Sequence, residues 1–241
     1  MWAVWDDPSV DWSQFELVVV RSAWDYAERS ADFLRWAEGV PRIENLLAVL
    51  RFGVDKERYL GALAGAGVPV VPTAFVRAGE SFVPPGEPFV VKPAISAGGR
   101  RSARFGARDA AAGELISEIT GAGETAMVQP FLAGAAENSL VYLDGAFSHS
   151  FGRRVALPLG RAEEVLYLEE QLGRYDASPA EREVAEAALA MVPEPPLYAR
   201  VDLLGGLVLE LEVVEPSLYL SYGDGSADTF AAAVSARLAR P

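Results

Sequence analysis

The chain has no cysteine and a single histidine among its 241 residues. Without thiols there are no disulfides, thiolate metal centres or cysteine nucleophiles, which fits a reducing cytoplasm. With His149 alone, one chain cannot build a multi-histidine zinc site, and a Ser-His-Asp triad is disfavoured. Positive charge is scarce: 21 Lys and Arg stand against 34 Asp and Glu, a formal net charge of −13. That balance argues against nucleic acid or an anionic membrane as the main partner. No apolar run reaches the ~20 residues of a membrane span. The N-terminus has neither the basic start nor the apolar core of a signal peptide. The expectation is a soluble, cytoplasmic protein.

What is present is apolar sequence, 51% of the chain, enough for a core in one large domain or two small ones. Residues 16–20 read as a strand buried on both faces. A helix follows over residues 30–39, with Ser30 as N-cap and Gly39 as stop. This strand–helix unit predicts an α/β region. The pattern then gives a helix over 55–66, extended sequence over 68–76 and a short strand over 89–93. A Gly/Ser loop over 96–102, a helix over 109–120 and a strand over 126–129 come next. Residues 138–144 and 146–151 form a hairpin about Asp144-Gly145. Ser178, Pro179 and Glu181 make a capping box with proline at the first helical position. Two strand-like stretches, 198–202 and 210–216, and a helix over 226–238 close the chain. Hairpins mixed with helices make the part past residue 57 α+β.

Charges inside that apolar sequence carry the chemistry. Strand side chains alternate faces, so Arg200 pairs with Asp202 on one face, and Glu210 with Glu212. Asp202, Glu210 and Glu212 on adjacent strands would make an all-oxygen site suited to Mg2+. A hairpin with one solvated face accounts for the same spacing. Lys92 ends a buried strand, and the loop after it holds glycines, serines and arginines, a combination suited to phosphate. Lys56 opens a helix, where a solvated charge is the default. Gln129, Phe131 and Leu132 lie on an extended link that can offer backbone groups to a planar ligand. Glu137 follows in a small-residue loop, and Arg153-Arg154 is either a phosphate contact or a solvated pair. His149, among Phe147 and Phe151, reads as a hydrogen-bonded structural residue. Arg21 and Asp25 end the first buried strand and are candidates to face a cleft.

Taken in order, these features resemble the ATP-grasp superfamily. The order is Lys56, Lys92 with its loop, the link from Gln129 to Leu132, Glu137, then Ala-Arg-Val-Asp and Glu-x-Glu-x-x-x-Pro. The wording Val-Val-Val-Arg-Ser-Ala-Trp-Asp-Tyr, Met-Val-Gln-Pro-Phe-Leu and Glu-Pro-Ser-Leu-Tyr-Leu is similar to the branch containing the cyclo-ligase of D-cycloserine biosynthesis. The resemblance spans nearly the whole chain. It implies two α+β subdomains clasping ATP, residues 55–132 and 133–241, preceded by a partial α/β domain over 1–54. It also implies roles. Lys56, Lys92 and Arg154 would hold phosphates, with Ser96 and Gly98 in a loop closing over them. Gln129, Phe131 and Leu132 would flank the adenine and Glu137 the ribose. Asp202, Glu210 and Glu212 would hold Mg2+, and Arg200 would contact the transferred phosphate or the tetrahedral intermediate. Glu215 matches no ligand position in the pattern.

The implied activity is an ATP- and Mg2+-dependent ligase that joins a small carboxylate to an amine, or closes a ring, through an acylphosphate. The alternative is a shortened, inactive ATP-grasp protein serving as a nucleotide-binding or regulatory module. Two departures from the branch motivate it: relatives carry a strand and helix before the equivalent of Trp2, and residues 155–170 lack the wording Gly-Asp-Phe-Arg-Val-Gln. For a ligase, Asp202→Asn is expected to abolish ADP release and leave the fold intact. A homodimer is the base-rate expectation for assembly.

Overall fold

The computed structural model describes residues 1–162 and 168–240. Strand β1 (Val18–Val19) pairs in parallel with β2 (Ile43–Glu44), and α1 (Ser30–Gly39) connects them. Arg29, rather than Ser30, occupies the N-cap position of α1. Phe33 and Ala37, one turn apart, bury against Trp5 and Tyr26. Helix α2 (Leu47–Gly53) was not visible in the pattern. It is short, has no side-chain cap, and buries four of its seven residues, so it carries neither an end signal nor a polar stripe. A Cβ added to Gly53 would sit 2.4 Å from Val213 Cγ2, which shows how closely α2 lies on the segment around Val213. Helix α3 (Lys56–Gly65) starts on Asp55, whose carboxylate accepts from the Glu57 N–H at 2.9 Å.

The middle of the chain forms an antiparallel sheet. Its strands are β3 (Ala74–Val76), β4 (Phe89–Pro93), β5 (Ala103–Phe105) and β6 (Ala126–Pro130), in the order β3-β6-β4-β5. Helix α4 (Ala112–Gly121) lays Leu115, Ile116 and Ile119 on Phe89, Val91 and Phe105. The rest forms a five-stranded antiparallel sheet from β7 (Glu137–Leu143), β8 (Ala146–Val155), β9 (Glu170–Arg174), β10 (Tyr198–Leu204) and β11 (Leu207–Glu212). The order is β11-β10-β7-β8-β9. The β7–β8 turn has Asp144 and Gly145 at φ 47° and 81°, the left-handed pair a two-residue hairpin needs. Both halves of the capping box form at the start of α5 (Pro179–Leu189). Ala199, Val201 and Leu203 face the core beneath α5, while Tyr198 faces the core shared with α6 (Ser226–Leu238). Strand β10 is therefore covered on both faces, which rules out the hairpin with a solvated face.

The architecture is α+β: two antiparallel sheets backed by helices, preceded by a small α/β unit. Among the described residues, no helix is long and apolar enough to cross a membrane.

A buried side chain ties the N-terminal unit to the large sheet. Asn45 Nδ2 donates to the Tyr198 and Val213 carbonyls at 2.9 and 2.8 Å, and its Oδ1 accepts from the Leu197 N–H at 2.6 Å. Asn45→Ala leaves these backbone groups buried and unpaired, at a cost of about 2–4 kcal/mol. A urea melt should show the midpoint falling accordingly, with the slope unchanged.

Candidate active site

The strand register assembles the site. Arg200 lies opposite Glu212 and Asp202 opposite Glu210, so all four side chains share one face of the β10–β11 pair. Asp202 is fully buried. It accepts from Arg200 Nε and Nη2 at 2.8 and 2.9 Å, from Arg153 Nη1 at 2.8 Å and from Ser139 Oγ at 2.6 Å. Burial works to raise its pKa, but Arg200, Arg153 and Ser139 hold it below the ordinary value. This corrects one expectation. Asp202 is the counter-ion of two buried arginines, so Asp202→Asn cannot leave the fold untouched.

Lys92 Nζ donates to Glu210 Oε1 at 2.6 Å. Burial again opposes ionisation, and Lys92 and Lys56 together hold Glu210 well below the usual carboxylate range. Glu212 behaves oppositely. Burial pushes it up to about 7 despite Arg200 at 2.8 Å, with the Asp202 and Glu210 charges adding to the rise. Asp202, Glu210 and Glu212 present carboxylate oxygens within 4.8 Å of one another. This donor set suits a hard divalent cation, and a cation would offset the like-charge crowding that raises Glu212.

Lys56 is buried, not solvated. Its Nζ donates to the Ser96 carbonyl at 2.7 Å and lies 3.3 Å from Ser96 Oγ, which joins α3 to the Gly/Ser loop. Burial, opposed by Glu210, lowers its pKa. Gly98 and Gly99 in that loop adopt φ of 63° and 71°, a backbone shape that favours glycine.

A cavity of about 780 Å3 opens between the two sheets. Lys92, Ser96, Gly98, Gln129, Phe131, Leu132, Glu137, Arg154, Glu210 and Glu212 all line it. Its size is in the range of small-molecule and cofactor sites. Gln129 Nε2 is held by Thr73 Oγ1 at 3.0 Å, and the Arg104 guanidinium lies 4.5 Å over the Phe131 ring. Glu137 is pushed up to about 7 by burial, against the pull of Arg153.

Arg153 is the residue that sequence reasoning undervalued. It reaches Asp202, Glu170 at 2.7 Å and Glu137 at 3.5 Å, whereas Arg154 is exposed at the cavity rim. Which of two adjacent arginines faces inward depends on strand register, and a bulge at Val141/Tyr142 shifts the β7–β8 register. Strand β9, which supplies Glu170, was also not foreseen. The segment whose wording departs from the branch includes residues 163–167, which lie outside the described residues. Asp25 does not face the cleft: it accepts from Trp5 Nε1 at 3.0 Å and pairs with Arg29. Arg21 Nη2 donates to the Pro216 carbonyl at 2.7 Å. His149 is structural, its Nε2 2.8 Å from the Leu218 carbonyl, and burial lowers its pKa.

These carboxylates set a pH dependence. Glu137 and Glu212 near 7, and Glu215 near 8, all lie above the ordinary 4.5, so the folded chain binds more protons than the unfolded chain between these values. Stability therefore falls as pH rises through that window. The depressed Asp202 and Glu210 act oppositely and cost stability once pH drops below about 4.5. The melting temperature should peak near pH 4–5, where the two windows meet, and be several degrees lower at pH 8.5. Mg2+ should restore more of it at pH 8.5 than at pH 6. Calorimetric melts with and without Mg2+ check both.

Residues 1–48 match the family model described as the N-terminal domain of D-cycloserine synthetase DcsG. The cycloserine biosynthesis protein DcsG of Streptomyces lavendulae is 34% identical over 262 aligned positions, covering 97% of this chain and 87% of that protein. The crystal structure of D-cycloserine synthetase DcsG superposes with a TM-score of 0.83 at 34% identity, over 97% of this chain and 88% of that one. D-alanine–D-alanine ligase from Bacillus anthracis shares the fold, with a TM-score of 0.63 at 13% identity, covering 93% and 82% of the two chains. With a third of its residues identical to DcsG along nearly its whole length, this chain belongs to the DcsG family, and it shares the fold of an ATP-grasp ligase, PsnB, at a TM-score of 0.58 and 16% identity over 91% of this chain and 78% of that one.

Proposed function

We propose that this ATP-dependent ligase activates a small carboxylate as an acylphosphate and joins it to an amine, by ring closure within one molecule or between two. A carboxylate oxygen attacks the γ-phosphorus and ADP leaves. The amine nitrogen then attacks the acyl carbon, inorganic phosphate leaves and the nitrogen loses a proton. The observation that carries this reading is the run of Lys92, Glu210 and Glu212 along one wall of the cleft between the sheets. Lys92 and the Ser96–Gly98 stretch, which line the cleft, would receive the phosphates, and Lys56, which lines the adjoining second cavity and holds the Ser96 carbonyl, would meet the terminal phosphate where the two cavities join. Gln129, Phe131 and Leu132 would take the base, and Glu137 the ribose. Asp202, Glu210 and Glu212 would hold Mg2+, which neutralises phosphate charge when bound.

A second cavity, of about 480 Å3, shares Ser96, Gly98, Arg153, Leu172 and Glu212 with the first. Arg200 lines the second cavity and not the first, which fits contact with the reacting carboxylate or the phosphate it receives. The relative's name, D-cycloserine synthetase, favours the ring-closing form. The test is ADP and phosphate release in the presence of Mg2+, with amino acids and dipeptides as carboxylate and amine. Stoichiometric release of both products supports the ligase. ATP binding without turnover on any substrate supports a nucleotide-binding module instead.

A further inference from the structure

Glu215 is a buried carboxylate that the nucleotide and metal roles leave unused. It lies three residues beyond Glu212, is 7% exposed and lines the second cavity. Its Oε2 atom is buried with no hydrogen-bond partner. The Trp24 side chain hydrogen-bonds the carboxylate, and Trp24, Tyr26 and Tyr219 supply aromatic wall to the same cavity. Two guanidinium groups act on the carboxylate, Arg21 more strongly than Arg200, yet neither hydrogen-bonds Oε2: Arg21 Nη2 donates to the Pro216 carbonyl at 2.7 Å, two nitrogens of Arg200 hold Asp202, and its Nη1 donates to the Ser217 carbonyl at 2.9 Å. An acceptor held out of water without a donor is costly, so a group that supplies one is bound strongly. The aromatic faces around it attract a cation as well.

We infer that Glu215 is the residue that receives the protonated amine of the substrate in the second cavity, and that this contact turns the substrate's carboxylate toward Glu212 and the nucleotide cleft. The inference rests on the ligase reading above and deepens it. Burial, with the Glu212 charge close by, pushes Glu215 up to about 8; a bound ammonium provides the counter-charge that keeps it ionised. The cavity is shared between the two ends of one substrate. Glu215 marks the end away from the nucleotide, and Glu212 and Arg153 mark the wall both cavities have in common.

The test is isothermal titration calorimetry on the full chain with Mg2+ and ADP present. The probes are D-serine, L-serine, D-alanine and D-cycloserine, each beside its N-acetyl form, which keeps the rest of the molecule and removes the cation. In the wild type at least one free amine should bind about 10–100-fold more tightly than its acetylated partner, as expected for a hydrogen bond to a charged group. Glu215→Gln should erase most of that preference while leaving ADP affinity unchanged, and Glu215→Asp should keep part of it. Equal binding of free and acetylated forms to the wild type overturns the inference, as does binding of no probe. A full preference retained in Glu215→Gln also overturns it. Because the first comparison changes only the ligand, a variant that fails to fold does not protect the idea. Absence of ADP binding in the same titrations would instead strike at the ligase reading itself.

Discussion

Asp202→Asn is expected to abolish ADP release and to destabilise the fold by about 3 kcal/mol or more, the usual cost of breaking a buried ion pair by removing one partner. For a chain of this length that corresponds to a melting temperature about 6–12 °C lower. Both effects have one origin. Asp202 collects four donors, two nitrogens of Arg200, one of Arg153 and the Ser139 hydroxyl, at a position with no exposure. Asparagine offers one acceptor oxygen and turns an NH2 toward a guanidinium. Two arginines then stay buried with too little negative charge, and the strands β7, β8 and β10 lose the contact that gathers them. Glu212→Gln separates the two consequences. Glu212 keeps 28% of its side chain exposed and pairs with only one nitrogen of Arg200, so its loss should weaken Mg2+ binding with little change in melting. Scanning calorimetry alongside an ADP assay distinguishes the pair. A stable, active Asp202→Asn protein would contradict this account of the site.

Arg200→Lys is expected to lower ADP release about 10²–10³-fold, in the range seen when one donor aimed at developing charge is removed. Affinity for ATP should change little, because Arg200 lines the second cavity and not the cleft proposed for the nucleotide. The substitution keeps the charge and loses the geometry. The guanidinium bridges both oxygens of Asp202, the Glu212 carboxylate and the Ser217 carbonyl at once. An ammonium is a point charge that cannot hold this fork. Single-turnover kinetics with separate ATP titrations should show the loss in rate and not in nucleotide binding. A loss confined to ATP affinity would move Arg200 to the nucleotide side.

Much of this was readable because it rests on local periodicity. The alternation along residues 198–202 put Arg200 and Asp202 on one face, and the Asp144-Gly145 turn and the Ser178 capping box formed where they were expected. Residues whose placement depends on distant pairing were not readable. Arg153 faces inward because of a bulge and a partner strand far along the chain, which the local pattern of two adjacent arginines does not encode. Lys56 looked like an ordinary first-turn charge, yet the loop after β4 closes on it and buries it. Glu215 fits no ligand position in the sequence pattern; only the folded chain shows its Oε2 buried and unpartnered at the wall of the second cavity. The short helix α2 and strand β9 have weak intrinsic signals and owe their form to neighbours.

The proposed ligase stands or falls on the cleft between the two sheets taking Mg–ATP. Calorimetric titration of ATP into the wild type and Lys92→Met, with and without Mg2+, tests this directly. One ATP should bind per chain with Mg2+-dependent affinity, and Lys92→Met should lose about tenfold or more, because the proposed phosphate contact and the partner of Glu210 both disappear. No heat of ATP binding, or binding that neither Mg2+ nor Lys92 affects, would contradict it.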